Sequence, residues 1–221
     1  MTNLFSIFDP SSSILNLPIN WMSVSLGLMI FPSFFWQNHS RLTMLFSLMF
    51  KSLLSEIFTI LKKNSPNSMI ILSLFSFILF NNFLGLLPFI FTASSHMMFS
   101  LSLALSLWLS IFFVNIFKKT NLFLSHLIPL GTPPLLMPFM VLVETLSALI
   151  RPLTLSIRLT ANMIAGHILL SLMSSSVNIL FPLMSLTIIL SQIMLMILEM
   201  AVSIIQSYVF MILMTLYLGE L

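Results

Sequence analysis

Residues 179–218 read ILFPLMSLTIILSQIMLMILEMAVSIIQSYVFMILMTLYL, an apolar run that constrains how the rest of the chain is arranged. From Leu183 to Leu218 the run contains neither glycine nor proline, so nothing in it signals a turn. At 1.5 Å per residue a helix of this length measures about 60 Å, twice the roughly 30 Å thickness of a bilayer's hydrocarbon core. We therefore predict one helix tilted by about 60° from the membrane normal, well beyond the usual range, rather than two upright spans.

The composition of the whole chain also indicates a membrane environment. Hydrophobic residues make up 59% of the 221 positions and charged residues only 6%, whereas soluble domains carry about 25% charged residues. So few charges cannot cover a water-facing surface, and we predict an all-α, polytopic membrane protein. The basic residues form no run of the kind that binds nucleic acid. The absence of cysteine excludes disulfides, iron–sulfur clusters and thiolate zinc sites, and we expect no metal or cofactor.

The remaining apolar stretches predict further helices within residues 1–221, which we interpret as a single membrane domain. About five membrane helices are expected in all. They are a first span at about residues 14–36, a hairpin of two spans at 69–91 and 97–117, and a tilted hairpin at 139–170 and 179–218.

Residues 41–61 have a different pattern, with polar side chains spaced for one helical face. Those side chains are Arg41, Ser47, Lys51, Ser55 and Glu56. This pattern is typical of an amphipathic helix lying in the membrane interface. A surface helix docked on a neighbouring subunit would show the same pattern, so the sequence leaves both interpretations open.

The distribution of basic residues predicts the orientation in the membrane. The segment from Arg41 to Lys63 and the pair Lys118–Lys119 carry basic residues, whereas the turn TASSH (92–96) and the bend near residue 175 carry none. By the positive-inside rule the basic segments lie inside, which puts the N-terminus outside and the C-terminus inside.

Polar residues within the two long segments are placed symmetrically about Pro182. Arg158 and Gln206 lie 24 residues to either side of it, and Glu144 and Glu220 lie 38 residues to either side. In an antiparallel hairpin such pairs share a depth, as do His167 and Glu199, which lie 15 and 17 residues away. Because polar residues inside a membrane are costly, these are functional candidates.

The helical faces separate these residues into two clusters. Arg158 and Asn162 lie near the stripe that starts at Glu144, while His167 lies nine residues past Arg158, on roughly the opposite face. His167 and Glu199 therefore belong to a cluster that opens outward, and Glu144 and Glu220 to one that opens inward. Two offset proton half-channels need this arrangement. A guanidinium between them stays protonated, blocks a direct leak and attracts a carboxylate on a moving partner.

Less specific roles remain open for several of these residues. Membrane serines usually hydrogen-bond to their own backbone, so serines near His167 need not line a channel. His167 could be a hydrogen-bonded core histidine. Arg151 could serve only as an ion-pair partner, for example of Glu144, and Arg158 could pair within this chain.

Three motifs resemble subunit a of the F-type ATP synthase. They are SIRLTANMIAGHILL (156–170), NNFLGLLP (81–88) and IIQSYVFMILMTLYL (204–218). The resemblance covers nearly the whole chain and is closest to mitochondrial, arthropod-like sequences. It implies a proton-translocating subunit of the mitochondrial inner membrane, with its N-terminus toward the intermembrane space and its C-terminus toward the matrix. It also implies that the chain is not catalytic by itself, since nucleotide chemistry would lie in other subunits.

The resemblance also implies a role for each matching position. Arg158 matches the essential arginine that faces a ring of c subunits with lipid-facing carboxylates, with Asn162 and Gln206 beside it. His167 and Glu199 match the pair of the outer half-channel, and the acidic pair Glu144 and Glu220 the matrix half-channel. Further Fo and peripheral-stalk subunits are the other implied partners.

Two other classes of membrane protein compete with this interpretation. A haem-binding respiratory subunit needs facing histidine pairs, and the four histidines, at positions 39, 96, 126 and 167, are not spaced for that. A secondary transporter usually contains inverted repeats with broken helices at matching positions, and we find none.

Overall fold

The computed structural model describes residues 4–11, 17–29, 40–61, 67–87, 89–118, 120, 128, 133, 136–176 and 182–219. Over these ranges every regular element is a helix. The predicted all-α class is therefore confirmed.

The helices are α1 (Ser23–Met29), α2 (Arg41–Leu61), α3 (Asn67–Gly85), α4 (Met97–Lys118), α5 (Met137–Ser176) and α6 (Pro182–Gly219). Most helices begin and end near the predicted boundaries, but α3 ends at Gly85, before the predicted residue 91, and residues 14–16 and 30–36 of the predicted first span lie outside the described residues. Short 3-10 helices also form at Leu4–Phe8, Ile19–Met22 and Ala93–Ser95. The second of these leads directly into α1, within the predicted first span of residues 14–36.

The two longest helices are continuous, as the sequence predicted. α6 has 38 residues and α5 has 40, with Pro152 inside α5 rather than at its end. The predicted boundary at residue 170 was too early, because α5 continues through Ser176. The hydroxyls of Ser174 and Ser175 donate to the carbonyls three residues back, which is how serine is accommodated in a helix.

The packing of α3 and α4 differs from what a simple hairpin implies. Within the described part of the chain, α3 packs mainly against α6, and α4 packs mainly against α5. A direct contact between α3 and α4 is made by the rings of Phe77 and Phe99, whose centroids are 5.8 Å apart. Each of the two shorter helices therefore packs mainly on the α5–α6 pair rather than on the other short helix.

Two apolar clusters hold this arrangement together. One joins α3, α4, α5 and α6 through Ile78, Ala104, Leu155, Leu159, Phe210 and Met214. The other joins α2, α3 and α6 through Ile57, Ile71, Phe75 and Met211. Both clusters contain residues of α3 and of α6, so these two helices link the two parts of the core.

Five described helices are long and apolar enough to cross a membrane, namely α2 to α6, and Ile19–Met29 is a shorter apolar helix. The polytopic architecture is therefore confirmed. α2 packs through Ile57 on α3 and α6, and its Glu56 accepts a hydrogen bond of 3.0 Å from the Tyr208 hydroxyl. The position of α2 in the membrane interface stays a prediction.

Candidate functional site

The hairpin of α5 and α6 has a register that three side-chain contacts define. Going from the ends of the hairpin toward its bend, Arg151 meets Tyr217, Asn162 meets Gln206, and Gly166 meets Glu199. These contacts run in opposite directions along the two helices, so the pair is antiparallel.

The register agrees with the predicted depth pairs to within about one helical turn. Glu199 lies against Gly166, the neighbour of His167, as the pairing of His167 with Glu199 predicted. Gln206 instead hydrogen-bonds with Asn162, one turn beyond the predicted Arg158. Glu220 lies outside the described residues.

The middle of the hairpin carries a side-chain amide pair. Asn162 Nδ2 donates to Gln206 Oε1 at 3.1 Å, which links α5 to α6. Gln206 is buried, and Asn162 lies on the exposed side of α5. The bond fixes the orientation of both amides at the depth where α5 is exposed to the surroundings.

Arg158 lies on that exposed side, one turn before Asn162. Among the described residues it has no ion-pair or hydrogen-bond partner, so the interpretation as an internal ion pair finds no support there. Ile157, Ala161 and Ala165 are exposed on the same face. The Arg158 guanidinium is therefore surrounded on this face by small and apolar side chains. Small side chains allow another helix to approach closely.

Toward the bend, Glu199 is the central polar residue. Its side chain is 8% exposed, and neither carboxyl oxygen has a hydrogen-bond partner among the described residues. Gly166 leaves the space that the carboxyl group occupies, because a Cβ there would lie 2.8 Å from Glu199 Cδ. A buried carboxyl group without a hydrogen-bond partner is costly, so Glu199 is a candidate functional residue.

His167 follows Gly166 and is partly buried. Its Nε2 atom also has no partner in the described chain, and its ring packs edge-on against Phe8 at 6.3 Å. The serines predicted to be near it are less informative. Ser171, Ser174 and Ser175 donate to backbone carbonyls three residues back, as ordinary helical serines do.

Further buried polar atoms without partners lie in the same part of the molecule. In the described ranges they are Ser23 Oγ, both amide atoms of Asn82, Ser94 Oγ and His96 Nε2. They belong to the start of α1, the end of α3 and the α3–α4 connection. The segment 92–95 of that connection is buried and packs against α5. The unsatisfied polar atoms of the described chain therefore all lie from the middle of the hairpin toward the bend.

Sequence reasoning gave no function to Asn82, Ser94 or His96. A signal existed for Asn82, because two adjacent asparagines inside an apolar span are costly and call for an explanation. For Ser94 and His96 there was no such signal, because TASSH has the composition of an ordinary exposed turn.

At the other end of the hairpin the charged groups are paired. Arg151 Nη2 lies 3.9 Å from Glu144 Oε1, and its guanidinium lies 5.2 Å from the centroid of the Tyr217 ring. The ion pair of Arg151 with Glu144, which the sequence left open, is thus present in the structure. Both side chains are partly exposed, at 33% and 48%.

Chemically, the hairpin carries two separate groups of titratable side chains. The Glu199–His167 group lies toward the bend, the Glu144–Arg151 pair lies toward the far end, and Arg158 lies between them. No group of three metal-ligating side chains occurs in the described residues.

Comparison with known proteins agrees with these features. The sequence model of the family described as ATP synthase A chain matches residues 17–219. The chain is 50% identical to ATP synthase subunit a of Aedes aegypti over 224 residues and 50% identical to that of Locusta migratoria over 222 residues. It is 49% identical to that of Drosophila yakuba over 222 residues. Each comparison covers 100% of this chain and 99% of the relative. With a family match over nearly its whole length and relatives at half identity, the chain belongs to the ATP synthase A chain family.

Proposed function

We propose that this chain is the proton-translocating subunit a of the Fo sector of an ATP synthase in the mitochondrial inner membrane. Membership of the family and the helices long enough to span a membrane support this proposal. Its partners are a ring of c subunits with lipid-facing carboxylates, other Fo subunits and the peripheral stalk. The chain carries protons and is not catalytic by itself, because ATP chemistry belongs to other subunits.

The observation that carries the proposal is that Arg158 is exposed and has no partner in the part of the chain that the structure describes. A cation that faces away from its own chain inside a membrane segment requires a counter-charge from elsewhere. A carboxylate on a neighbouring ring supplies that charge. The small side chains of Ala161 and Ala165 leave room for the ring helix to come close.

The outer half-channel consists of the polar atoms toward the bend. Water that satisfies Ser94, His96 and Asn82 gives protons a path from the outer surface. The path ends at His167 and Glu199. From there a proton reaches a carboxylate of the ring, and the neutral group can then move into lipid. The same group in its charged form would meet a cost of several kcal/mol there.

The inner half-channel consists of Glu144 and Glu220. After nearly a full turn of the ring, the protonated carboxyl group meets this cluster and loses its proton to the matrix side. The ionised carboxylate is then attracted by Arg158, which prevents the ring from slipping back. Each proton that crosses down 100 mV delivers about 2.3 kcal/mol, so several protons are needed for each ATP.

The sidedness of the two channels provides the test. The chain has no cysteine, so an introduced thiol is the only one on this subunit. We expect a membrane-impermeant thiol reagent to label His167→Cys from the outer side and Glu144→Cys from the matrix side. Leu169→Cys, two residues from His167 and 50% exposed on an apolar surface, is the control and should resist labelling from either side.

The result that contradicts the proposal is labelling of both positions from both sides. That outcome would mean one continuous aqueous pore, which cannot drive rotation. Labelling of the two positions from the sides opposite to those expected would instead overturn the orientation, with the N-terminus in the intermembrane space and the C-terminus in the matrix.

A further inference from the structure

A side-chain hydrogen bond joins α2 to α6, the helix that carries Glu199 and Gln206. The Tyr208 hydroxyl donates to Glu56 Oε2 at 3.0 Å, between residues 152 positions apart in the chain. A hydrogen bond to a charged acceptor is about twice as strong as one between neutral groups. Glu56 forms no ion pair among the described residues, so within them the phenol is the side chain that binds this carboxylate.

The ring of Tyr208 is held by apolar packing as well. It packs against the cluster that α2, α3 and α6 share, which consists of Ile57, Ile71, Phe75 and Met211. Because the ring is packed, its hydroxyl has little freedom and meets the Glu56 carboxylate at the edge of the cluster. Glu56 is exposed and Tyr208 is partly exposed, so the bond lies at the surface of the described chain rather than in its core.

Tyr208 lies on the opposite face of α6 from the two polar residues of the hairpin. At about 100° per residue, Gln206 and Glu199 lie within about 20° of each other around the helix, whereas Tyr208 lies about 180–200° from both. On one side Gln206 is bonded to Asn162 of α5. On the other side Tyr208 is bonded to Glu56 of α2. Bonds on opposite faces restrict the rotation of α6 about its own axis.

The outer half of α6 contributes little to this restriction. From residue 185 to residue 198 no side chain is buried, and the first buried one is Glu199. The direction of the Glu199 side chain is therefore set by the packed half of α6 that follows it. When a helix of 10–12 Å diameter rotates by about 20°, its outer groups move by about 2 Å, which is enough to break a hydrogen bond. Such a rotation would move the Glu199 carboxyl group out of the space that Gly166 leaves for it.

We propose that Tyr208 and Glu56 are positioning residues for proton transfer. Their hydrogen bond holds α6 at the rotation that directs Glu199 and Gln206 toward α5. In this role α2 supports α6 from the opposite side, and neither Tyr208 nor Glu56 carries a transported proton. The effect on proton flow rests on the proposed function, whereas the rotation of α6 can be tested without any transport.

The first test measures whether the face of α6 that meets its neighbours stays covered. Ser203 lies between Glu199 and Gln206 in the chain and is 1% exposed, and the chain has no native cysteine. In the whole assembled complex, Ser203→Cys should react slowly with N-ethylmaleimide, relative to the denatured complex. Adding Tyr208→Phe, which removes only the hydroxyl, should raise the labelling rate several-fold. An unchanged rate would overturn the proposal.

The matched control is the other tyrosine of this chain. Tyr217 lies on the same helix and its ring packs on the Arg151 guanidinium at 5.2 Å, but its hydroxyl makes no hydrogen bond within the described residues. Tyr217→Phe should therefore leave the labelling of Ser203→Cys at its original rate. A rise equal to that caused by Tyr208→Phe would show that the bond to Glu56 has no special role, and would overturn the proposal.

The second test measures proton-driven ATP synthesis by the whole complex in vesicles. Tyr208→Phe and Glu56→Leu should each lower the rate about tenfold, within the loss of up to about 100-fold that a misplacement of about 1 Å can cause. The double variant should be no slower than either single variant, because both substitutions remove the same bond. Losses that multiply in the double variant would show that the two residues act separately, which would overturn the proposal.

Glu56→Gln separates hydrogen bonding from charge. Its amide oxygen can accept the Tyr208 hydroxyl in place of Oε2, so this variant should retain most of the rate that Glu56→Leu loses. Equal losses in Glu56→Gln and Glu56→Leu would mean that the charge acts rather than the bond, and would overturn the proposal. Failure of the proposed function is distinguishable, because the wild-type complex would then make no ATP from a proton gradient.

Discussion

Arg151 and Arg158 lie seven residues apart on α5, near one stripe of the same helix, yet their surroundings differ. Arg151 contacts the Glu144 carboxylate and the Tyr217 ring, both within this chain. Arg158 is exposed and has no ion-pair or hydrogen-bond partner among the described residues. One arginine therefore holds the open end of the hairpin together, whereas the other is available to a group from outside the chain.

The glutamates of the hairpin show a parallel difference. Glu144 is 48% exposed and paired with Arg151, whereas Glu199 is 8% exposed with both oxygens unsatisfied in the described chain. Under the proposed function, the member of each type without a partner in the described chain is the one that acts directly in proton transfer. The paired member would then contribute mainly to structure and to the inner half-channel. The following predictions test this distinction, from the largest expected effect to the smallest.

The largest effect is expected at Arg158. Arg158→Ala removes the cation that accepts the ring carboxylate, so proton-driven ATP synthesis in vesicles with the whole complex should fall to background. Arg158→Lys should also fail, because an ammonium lacks the planar fork of the guanidinium and its assured protonation. Arg151→Ala is the matched control, with a loss of less than about tenfold, because partly exposed ion pairs contribute only about 0–1 kcal/mol.

A normal rate of ATP synthesis by Arg158→Ala would contradict the central step of the proposed mechanism. A loss at 151 as large as that at 158 would remove the distinction between the paired and the unpaired arginine. Passive proton conductance, measured in the same vesicles, tells whether Arg158 also blocks a leak.

The second effect concerns the two glutamates. Glu199→Gln keeps the shape of the side chain but cannot carry a proton, so proton uptake from the outer side should slow by about 100-fold or more, the range for removal of a proton-transfer group. Glu144→Gln should slow release to the inner side by less than about tenfold, because this side chain is partly exposed. The measurement is the rate of proton flux driven by an imposed pH gradient. If Glu199→Gln and Glu144→Gln slowed proton flux equally, the distinction between the two glutamates would be wrong. A higher passive proton leak in either variant would contradict the two-channel arrangement.

The third effect concerns Gly166, which makes room for Glu199. The Cβ of Gly166→Ala would lie 2.8 Å from the carboxyl carbon of Glu199, and the flexible end of that side chain can turn away. The complex should therefore assemble normally while proton uptake slows several-fold. The control is Gly85→Ala, whose Cβ would approach the Thr92 methyl at 3.2 Å and no carboxyl group. If both variants transport protons equally well, the position of the Glu199 carboxyl group is not critical.

Much of the fold could be predicted because it follows from local patterns. The absence of glycine and proline from 183 to 218 predicted a single long α6, and the structure has one. The spacing of polar residues about Pro182 predicted an antiparallel hairpin, with a register correct to about one turn. The pairing of Gln206 was wrong by one turn because residue numbers alone give neither the exact position of the bend nor the reach of each side chain.

The packing partners of α3 and α4 could not be predicted in the same way. Both helices are apolar on most faces, so their periodicity does not indicate which face meets which neighbour. For the same reason the sequence did not show the burial of the segment 92–95. Its small polar residues have the same composition whether they form an exposed turn or pack against α5.

The sequence by itself determined that this chain is a helical membrane protein. It also located the long helices and the polar residues whose burial in a membrane is costly. These properties depend on composition and on spacing within one segment. Only the tertiary structure decided that Arg151 is paired, that Arg158 has no partner among the described residues, and that Glu199 is buried against Gly166. Those outcomes depend on the register between helices far apart in the chain, where a shift of one turn, about 5.4 Å, exchanges one partner for another.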